Sequence, residues 1–189
     1  MTATQQKLML ALKAAKRAGR VVRIWREHID RNALQGVVLS VSNDLVLVHR
    51  LSDAIHLDGY GVLRTSDVTQ FESRPRYGPF YQRALKVRRE RPKLPQGIEL
   101  DGMGNAIESA SRAFSLVTVH REAISRDTCA VGRIRTLTAK TIILRCLTPM
   151  AKWDGDYPRY RLSDITLLDF GGQYEDALAR VARLRRPAI

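Results

Sequence analysis

Val21–Arg31 reads VVRIWREHIDR, and Leu116–Arg126 reads LVTVHREAISR. The residues that follow the two stretches also correspond: Gly36 with Gly132, and Ser66-Asp67-Val68-Thr69 with Ser163-Asp164-Ile165-Thr166. The sequence separation is 95 residues between Arg26 and Arg121 and 97 residues between Asp67 and Asp164. Insertions of one residue in loops explain this small drift. Such self-similarity at a nearly fixed period indicates two tandem copies of one structural unit.

The first copy is dominated by short apolar segments that are typical of β-strands. Val22 and Ile24 alternate with polar or aromatic neighbours, and Leu45–Val48 is a continuous apolar run. The pattern predicts a helix over residues 4–18, which ends at Gly19, and then about five strands with short connections. Small barrels suit this pattern because closure leaves no exposed sheet edge.

Helices are also predicted after each set of strands and before the second set. Tyr81–Arg89 is expected to be helical and to end before Pro92, and Tyr174–Arg185 is its counterpart in the second copy. Asn105 is predicted to cap a helix that runs through Phe114. We therefore predict a mainly β protein with flanking helices, in which two five-stranded barrels form domains at residues 1–93 and 94–189.

Positive charge is the strongest indication of function. The chain has 32 Lys and Arg against 19 Asp and Glu, a net charge of +13. Such an excess favours an anionic partner, above all nucleic acid, although it also serves solubility. The charge is densest where the two copies join, at residues 74–93, where Glu90 is the single acidic residue.

The sequence contains none of the common catalytic patterns. It has no Gly-rich phosphate loop, no Ser/His/Asp arrangement and no metal-type spacing of its four histidines and two cysteines. We predict a protein that is not an enzyme and needs no cofactor. The apolar run near the N-terminus is too short for a signal peptide, and no stretch could span a membrane. We therefore expect a cytoplasmic protein that does not bind membranes.

The repeated unit resembles the Sm-like family, which comprises the Sm, Sm-like and bacterial Hfq proteins. Leu34–Leu47, LQGVVLSVSNDLVL, is similar to the family's first motif, and Leu-Gln-Gly is a particularly Hfq-like start. Val62–Val68 is similar to the second motif, and Tyr160–Ile165 repeats it. The resemblance covers about fifty residues of each copy. It implies two Sm-like barrels, each with a helix and five bent strands, and RNA as the partner.

Several positions depart from the family's pattern. Ser42 and Thr138 stand where the family has Asp, and Val46 and Ile142 stand where many members have a base-contacting Asn. Thr65 and Leu162 replace the Gly of the second motif's Arg-Gly turn. The resemblance therefore supports the barrel but does not imply the family's usual uridine pocket.

The candidate nucleic-acid-binding residues come from the second motif and from the basic join. They are Arg64, Arg161, Arg83, Lys86, Arg88, Arg89, Arg91 and Tyr81. A guanidinium can contact both phosphates and bases, and an aromatic ring can stack on a base. The alternatives are structural: Arg64 and Arg161 could pair with Asp67 and Asp164, and Tyr81 could anchor a helix on the barrel.

RNA or another single-stranded nucleic acid is thus the expected partner, ahead of duplex DNA. The alternative function is a protein–protein scaffold that uses barrel edges and trailing helices. Each trailing helix carries an apolar stripe, Leu85 with Tyr81 and Leu178 with Val181, which must be buried. If these helices cover the sheet edges, a monomer or a low-order oligomer is expected rather than a ring of six barrels.

Overall fold

A computed structural model describes residues 2–184 of the chain. The chain divides into two compact units, Met1–Leu94 (unit 1) and Pro95–Ile189 (unit 2). The division falls one residue after the position that the repeat predicts. Arg185, the last residue of the predicted second trailing helix, and Arg186 after it lie outside the described residues.

Unit 1 is a helix, five strands and a second helix. Its elements are α1 (Ala3–Ala18), β1 (Val21–Arg26), β2 (Asp30–Val41), β3 (Leu45–Leu51), β4 (Leu57–Arg64), β5 (Gln70–Glu72) and α2 (Gly78–Val87). Thr2 and Gln5 form a capping box at the start of α1, and Gly19 ends the helix with φ of 58°. The sequence thus predicted both the existence and the end of this helix.

Unit 2 repeats the same element order. Its elements are α3 (Gly102–Ala113), β6 (Val117–His120), β7 (Cys129–Leu137), β8 (Thr141–Cys146), β9 (Arg159–Arg161), β10 (Leu167–Phe170) and α4 (Gln173–Val181). The prediction that Asn105 caps α3 is wrong. The helix begins after Asp101, and Asn105 lies inside it, where its side-chain amide donates to the Asp101 carbonyl over 2.8 Å.

Each unit has an antiparallel sheet with the same strand order. The order is β5-β1-β2-β3-β4 in unit 1 and β10-β6-β7-β8-β9 in unit 2. Bulges bend β2 between Val38 and Ser40 and β7 between Ile134 and Thr136. Within the described residues, backbone pairing does not close either sheet on itself. The structure therefore shows a mainly β protein with flanking helices, and the closed barrels remain a prediction.

A glycine allows the second and third strands to approach closely in each unit. A Cβ atom at Gly36 would lie 2.3 Å from the His49 carbonyl oxygen, and one at Gly132 would lie 2.2 Å from that of Arg145. Both contacts are with backbone atoms, which cannot rotate away. The glycine pair that first revealed the repeat therefore has a steric reason in both copies.

The hairpin turns that follow are closed by hydroxyl side chains. The Ser42 hydroxyl accepts hydrogen bonds from the backbone amides of Asp44 and Leu45, and Thr138 accepts the same pair from Lys140 and Thr141. A short polar side chain can cap its own turn in this way. Ser42 and Thr138 therefore act as the turn caps of the two hairpins.

Each trailing helix packs one side chain into a small apolar cluster on its own unit. Leu85 of α2 contacts Val21 and Val37, with Tyr81 partly buried beside it. Leu178 of α4 packs with Leu116, Val131, Leu147 and Ala179. The predicted stripe is therefore confirmed at these leucines but wrong at Val181, which is 71% exposed.

Candidate nucleic-acid interface

The basic candidates of the first trailing segment lie on the surface of unit 1. Arg83 and Lys86 are exposed on α2, and Arg88, Arg89 and Arg91 are exposed immediately after it. Arg83 and Lys86 are three residues apart, so they share one face of the helix. Arg89 adopts a left-handed conformation with φ of 58°, which turns the chain after the helix. The segment therefore presents a dense positive surface.

Arg88 differs from its neighbours because it belongs to a network. The His56 Nδ1 atom lies 2.5 Å from a Glu90 carboxylate oxygen, and Arg88 contacts the other ring nitrogen, Nε2. The second Glu90 oxygen accepts the Leu57 amide at 2.7 Å. Burial alone would raise the pKa of Glu90, but these hydrogen bonds and the Arg88 charge lower it overall. Arg88 and Glu90 thus fasten the segment to the start of β4.

A histidine–tyrosine stack supports the same segment. The His49 ring lies on the Tyr60 ring with centroids 4.6 Å apart, and His49 Nδ1 accepts the backbone amide of Lys93. Burial lowers the pKa of His49 to about 4, although Glu90 and Asp58 oppose this shift. The ring is therefore neutral at neutral pH and acts as a structural acceptor.

The aromatic residues near the segment differ in exposure. Tyr81 is half-buried against the cluster around Leu85, which suits the structural alternative for its role. Phe80 is 48% exposed and Tyr77 is 57% exposed, with Arg76 lying 5.6 Å from the Tyr77 ring centroid. Among these residues, Tyr77 and Phe80 offer the more open rings to a base. They precede the basic residues directly in sequence.

The two motif arginines occupy the same backbone position in their units. Arg64 has φ of −75° and ψ of 135°, and Arg161 has φ of −75° and ψ of 138°; each precedes a 3-10 turn. Arg64 is half-buried, whereas Arg161 is exposed. No ion pair joins Arg161 to Asp164 in the part of the chain that the structure describes. Asp164 instead accepts the Ser163 hydroxyl at 3.0 Å.

Sequence reasoning missed a second basic surface, on unit 2. Arg133 is directly opposite Arg145 across β7 and β8, Arg159 is opposite Ile143, and Arg161 is opposite Thr141. Directly opposite residues, and residues two apart on a strand, share a face of the sheet. We call this surface, formed by Arg133, Arg145, Arg159 and Arg161, the arginine face. The sequence indicates this surface only through Arg159 and Arg161, which are two residues apart and therefore share one face of a strand.

Polar groups are also buried in unit 2, where they serve the fold. The Thr118 hydroxyl donates to Glu175, and the Thr166 hydroxyl donates to Glu122 at 2.8 Å. His120 lies 3.0 Å from Asp169. Burial raises the pKa of Cys129, so its thiol is held in the unreactive protonated form.

Residues 2–184 contain neither a candidate metal site nor a candidate membrane span. These residues hold no group of three or more His, Cys, Asp or Glu side chains placed to bind a metal ion. They also form no helix long and apolar enough to cross a membrane.

Comparison of the chain with protein-family models, with curated proteins and with solved structures finds no match.

Proposed function

We propose that this chain is a non-catalytic, tandem Sm-like protein that binds RNA or another single-stranded nucleic acid. The observation that carries the proposal is the exposed basic segment formed by Arg83, Lys86, Arg89 and Arg91. Unit 1 contains 18 Lys and Arg against 8 Asp and Glu, whereas unit 2 contains 14 against 11. Most of the attraction for a polyanion therefore comes from unit 1.

The Sm-like part of the proposal is supported by the repeated local geometry. In each unit a helix precedes five antiparallel strands, and a bulge bends the long second strand. A glycine at the close approach and a 3-10 turn before the last strand recur at corresponding positions. Two strongly bent five-stranded sheets, each closing into a small barrel, would account for these features.

Single strands are favoured over duplexes because of the aromatic rings beside the basic segment. Tyr77 and Phe80 are exposed, and exposed rings stack on unpaired bases, which a duplex hides. In the proposed mechanism, Arg83, Lys86 and Arg91 hold phosphates. Arg64 and Arg161 then add base or phosphate contacts at the two turns.

Salt-dependent RNA binding tests the proposal. Fluorescence anisotropy of a labelled mixed-sequence RNA should show binding that weakens steeply with salt, with a log–log slope of about −0.7 for each phosphate neutralised. The triple variant Arg83→Glu, Lys86→Glu, Arg91→Glu should bind much more weakly and with a shallower slope. Arg88 is left intact because its contact with His56 belongs to the fold.

The chain offers a control with the same change of charge. The triple variant Lys13→Glu, Lys16→Glu, Arg17→Glu alters exposed residues of α1 and should retain most of the affinity. Equal losses in the two triples would mean that net charge alone drives binding. Absence of binding by the unmodified chain at low salt would reject the proposal.

The motif arginines are tested separately. If Arg64 and Arg161 contact bases, replacing both with Ala should change the preference among oligonucleotides of different base composition. If they hold only phosphates, affinity should fall equally for every sequence. If the variant binds every oligonucleotide as tightly as the unmodified chain does, neither arginine belongs to the binding site.

A protein–protein scaffold is the second candidate, and an exposed apolar side chain on each trailing helix favours it. Val87 on α2 is 82% exposed and Val181 on α4 is 71% exposed, and a second copy of the chain could cover both. Self-association through these helices would give a low-order oligomer. Light scattering should then show a mass that falls to that of one chain when both valines are changed to Asp. A mass equal to one chain before the change would argue against the scaffold.

A further inference from the structure

Two arginines of unit 2 lie on aromatic rings: Arg145, which belongs to the arginine face, and Arg135, two residues after Arg133 on β7. The Arg145 guanidinium carbon is 4.2 Å from the Trp153 ring centroid. Beside it, Arg135 lies 4.1 Å from the Tyr157 ring centroid. Both arginines are exposed, so a guanidinium with one flat side on a ring still has its other side open to a ligand.

The Trp153 ring, on which the Arg145 guanidinium lies, is itself held in place. Trp153 packs against the cluster that contains Leu147 and Leu178, and a backbone bridge pairs it with Leu147. An arginine that rests on an anchored ring has lost much of its side-chain freedom before any ligand arrives. Binding to it therefore costs less conformational entropy than binding to a freely moving arginine.

The pairing of Arg133 with Arg145 destabilises the fold when no ligand is bound. Arg133 and Arg145 are directly opposite, and like charges in that position destabilise a sheet. Val37 and His49 form the corresponding pair in unit 1, so this fold does not require two cations there. Arg133 donates to the Ser115 carbonyl over 3.0 Å, which orients its side chain. A bound anion would offset the repulsion.

Acidic neighbours do not cancel this charge. Asp154 and Asp156 lie in the loop between Trp153 and Tyr157. Within residues 2–184, no salt bridge joins either of them to Arg135, Arg145 or Arg159. The arginine face therefore keeps a local positive excess, although unit 2 as a whole is close to balanced.

We propose that the arginine face is a second nucleic-acid site, at which unpaired bases stack on the guanidinium groups of Arg145 and Arg135. This inference rests on the proposed function. It adds that unit 2 recognises the unpaired bases of the ligand. Phosphates on either side of the stacked bases would contact Arg159 and Arg133. Planar guanidinium groups stack on bases, whereas an ammonium group does not, so the site distinguishes arginine from lysine.

Comparing the affinity for RNA with the affinity for a strand that lacks bases distinguishes the contribution of base stacking from that of charge. The full chain is titrated with a labelled RNA and with a phosphodiester strand of the same length that lacks bases. The unmodified chain should bind the RNA more tightly, by roughly fivefold or more, because each stacked base contributes to affinity. In Arg145→Lys the charge is kept but the planar group is lost, so the preference for RNA should decrease measurably, while the part of it that Tyr77, Phe80 and Arg135 supply remains.

Arg23→Lys is the matched control. Arg23 lies 4.6 Å from the Trp25 ring centroid, but it is half-buried, and it belongs to unit 1 and not to the arginine face. This variant loses the same type of contact and should keep the preference for RNA over the abasic strand. Thermal unfolding of each variant shows whether the fold is retained. Arg145→Ala, which removes both charge and plane, provides a second substitution if Arg145→Lys unfolds.

The outcomes distinguish this inference from the proposed function. If the chain binds RNA but Arg145→Lys keeps the full preference over the abasic strand, the arginine face is not a stacking site and the proposed function stands. If neither strand binds at low salt, both proposals fail. If polyglutamate displaces RNA as well as an unlabelled RNA does, the surface recognises acidic protein rather than bases.

Discussion

Replacing Gly36 or Gly132 with Ala should destabilise the unit that contains it. The added Cβ atom would lie 2.3 Å from the His49 carbonyl oxygen in the first case and 2.2 Å from that of Arg145 in the second. Ordinary contact distances exceed 3 Å, so the two strands must separate by roughly 1 Å. Overpacking of this kind costs about 1–3 kcal/mol, and strained ladder hydrogen bonds add about 1 kcal/mol.

The expected total of about 3 kcal/mol is large for a unit of this size. It corresponds to a fall of roughly 12–24 °C in the unfolding midpoint of a domain of 60–100 residues. The chain has two tryptophans, Trp25 in unit 1 and Trp153 in unit 2. Trp153→Phe leaves a reporter for Gly36→Ala, and Trp25→Phe leaves a reporter for Gly132→Ala. Each midpoint is measured by tryptophan fluorescence against its single-tryptophan background.

Gly155 supplies the control for this prediction. A Cβ atom at Gly155 would have no atom within 4 Å, and its φ lies outside the left-handed region. Gly155→Ala should therefore leave the midpoint nearly unchanged or raise it slightly, because Ala restricts the unfolded chain. Midpoints for Gly36→Ala and Gly132→Ala equal to that of Gly155→Ala would refute the argument that close strand approach explains the repeated glycine.

Two further predictions concern buried polar groups. Burial lowers the pKa of His49 to about 4, whereas an unfolded histidine titrates near 6.5. The unfolded state therefore takes up the proton first as the pH falls, so the free energy of unfolding should decrease between pH 6.5 and about 4. His49→Phe should flatten this decrease in urea titrations followed by Trp25; an unchanged pH dependence would contradict the assignment. Thr166→Val removes hydrogen bonds to buried Glu122 and should cost about 1–3 kcal/mol, whereas Thr69→Val at the corresponding exposed position should cost about 1 kcal/mol or less. Equal losses by urea denaturation would argue against the buried carboxylate as the cause.

The order of elements could be predicted because local signals agreed with each other. Alternation around Val22 and Ile24, the apolar run Leu45–Val48 and the glycine after α1 each gave the observed type of structure. The repeat strengthened these signals, since each weak pattern occurs twice. The prediction that Asn105 caps α3 is wrong because it rests on residue type alone. The chain enters α3 earlier, at Asp101 and Gly102, where glycine adopts φ of 85°.

The candidate interface was less predictable because it depends on contacts between distant residues. Charge density, motif position and one aromatic ring predict eight candidate residues. None of these signals indicates which side chains the fold uses for its own contacts. Arg88 looked equivalent to Arg89, but His56, 32 residues earlier, contacts it. The pairing of Arg133 with Arg145 requires the register of β7 and β8, and no local pattern specifies that register.

The two copies differ at two positions of the arginine face. Corresponding positions hold Val37 and His49 in unit 1 and Arg133 and Arg145 in unit 2. In unit 1 the valine packs with Leu85, and His49 receives the Lys93 amide, so the trailing segment covers that surface. In unit 2 Arg145 is exposed and Arg133 is half-buried, so the corresponding positions carry charge, although α4 packs on its own apolar cluster in this unit as well. This difference between the copies is the reason why the second site is proposed for unit 2 and not for unit 1.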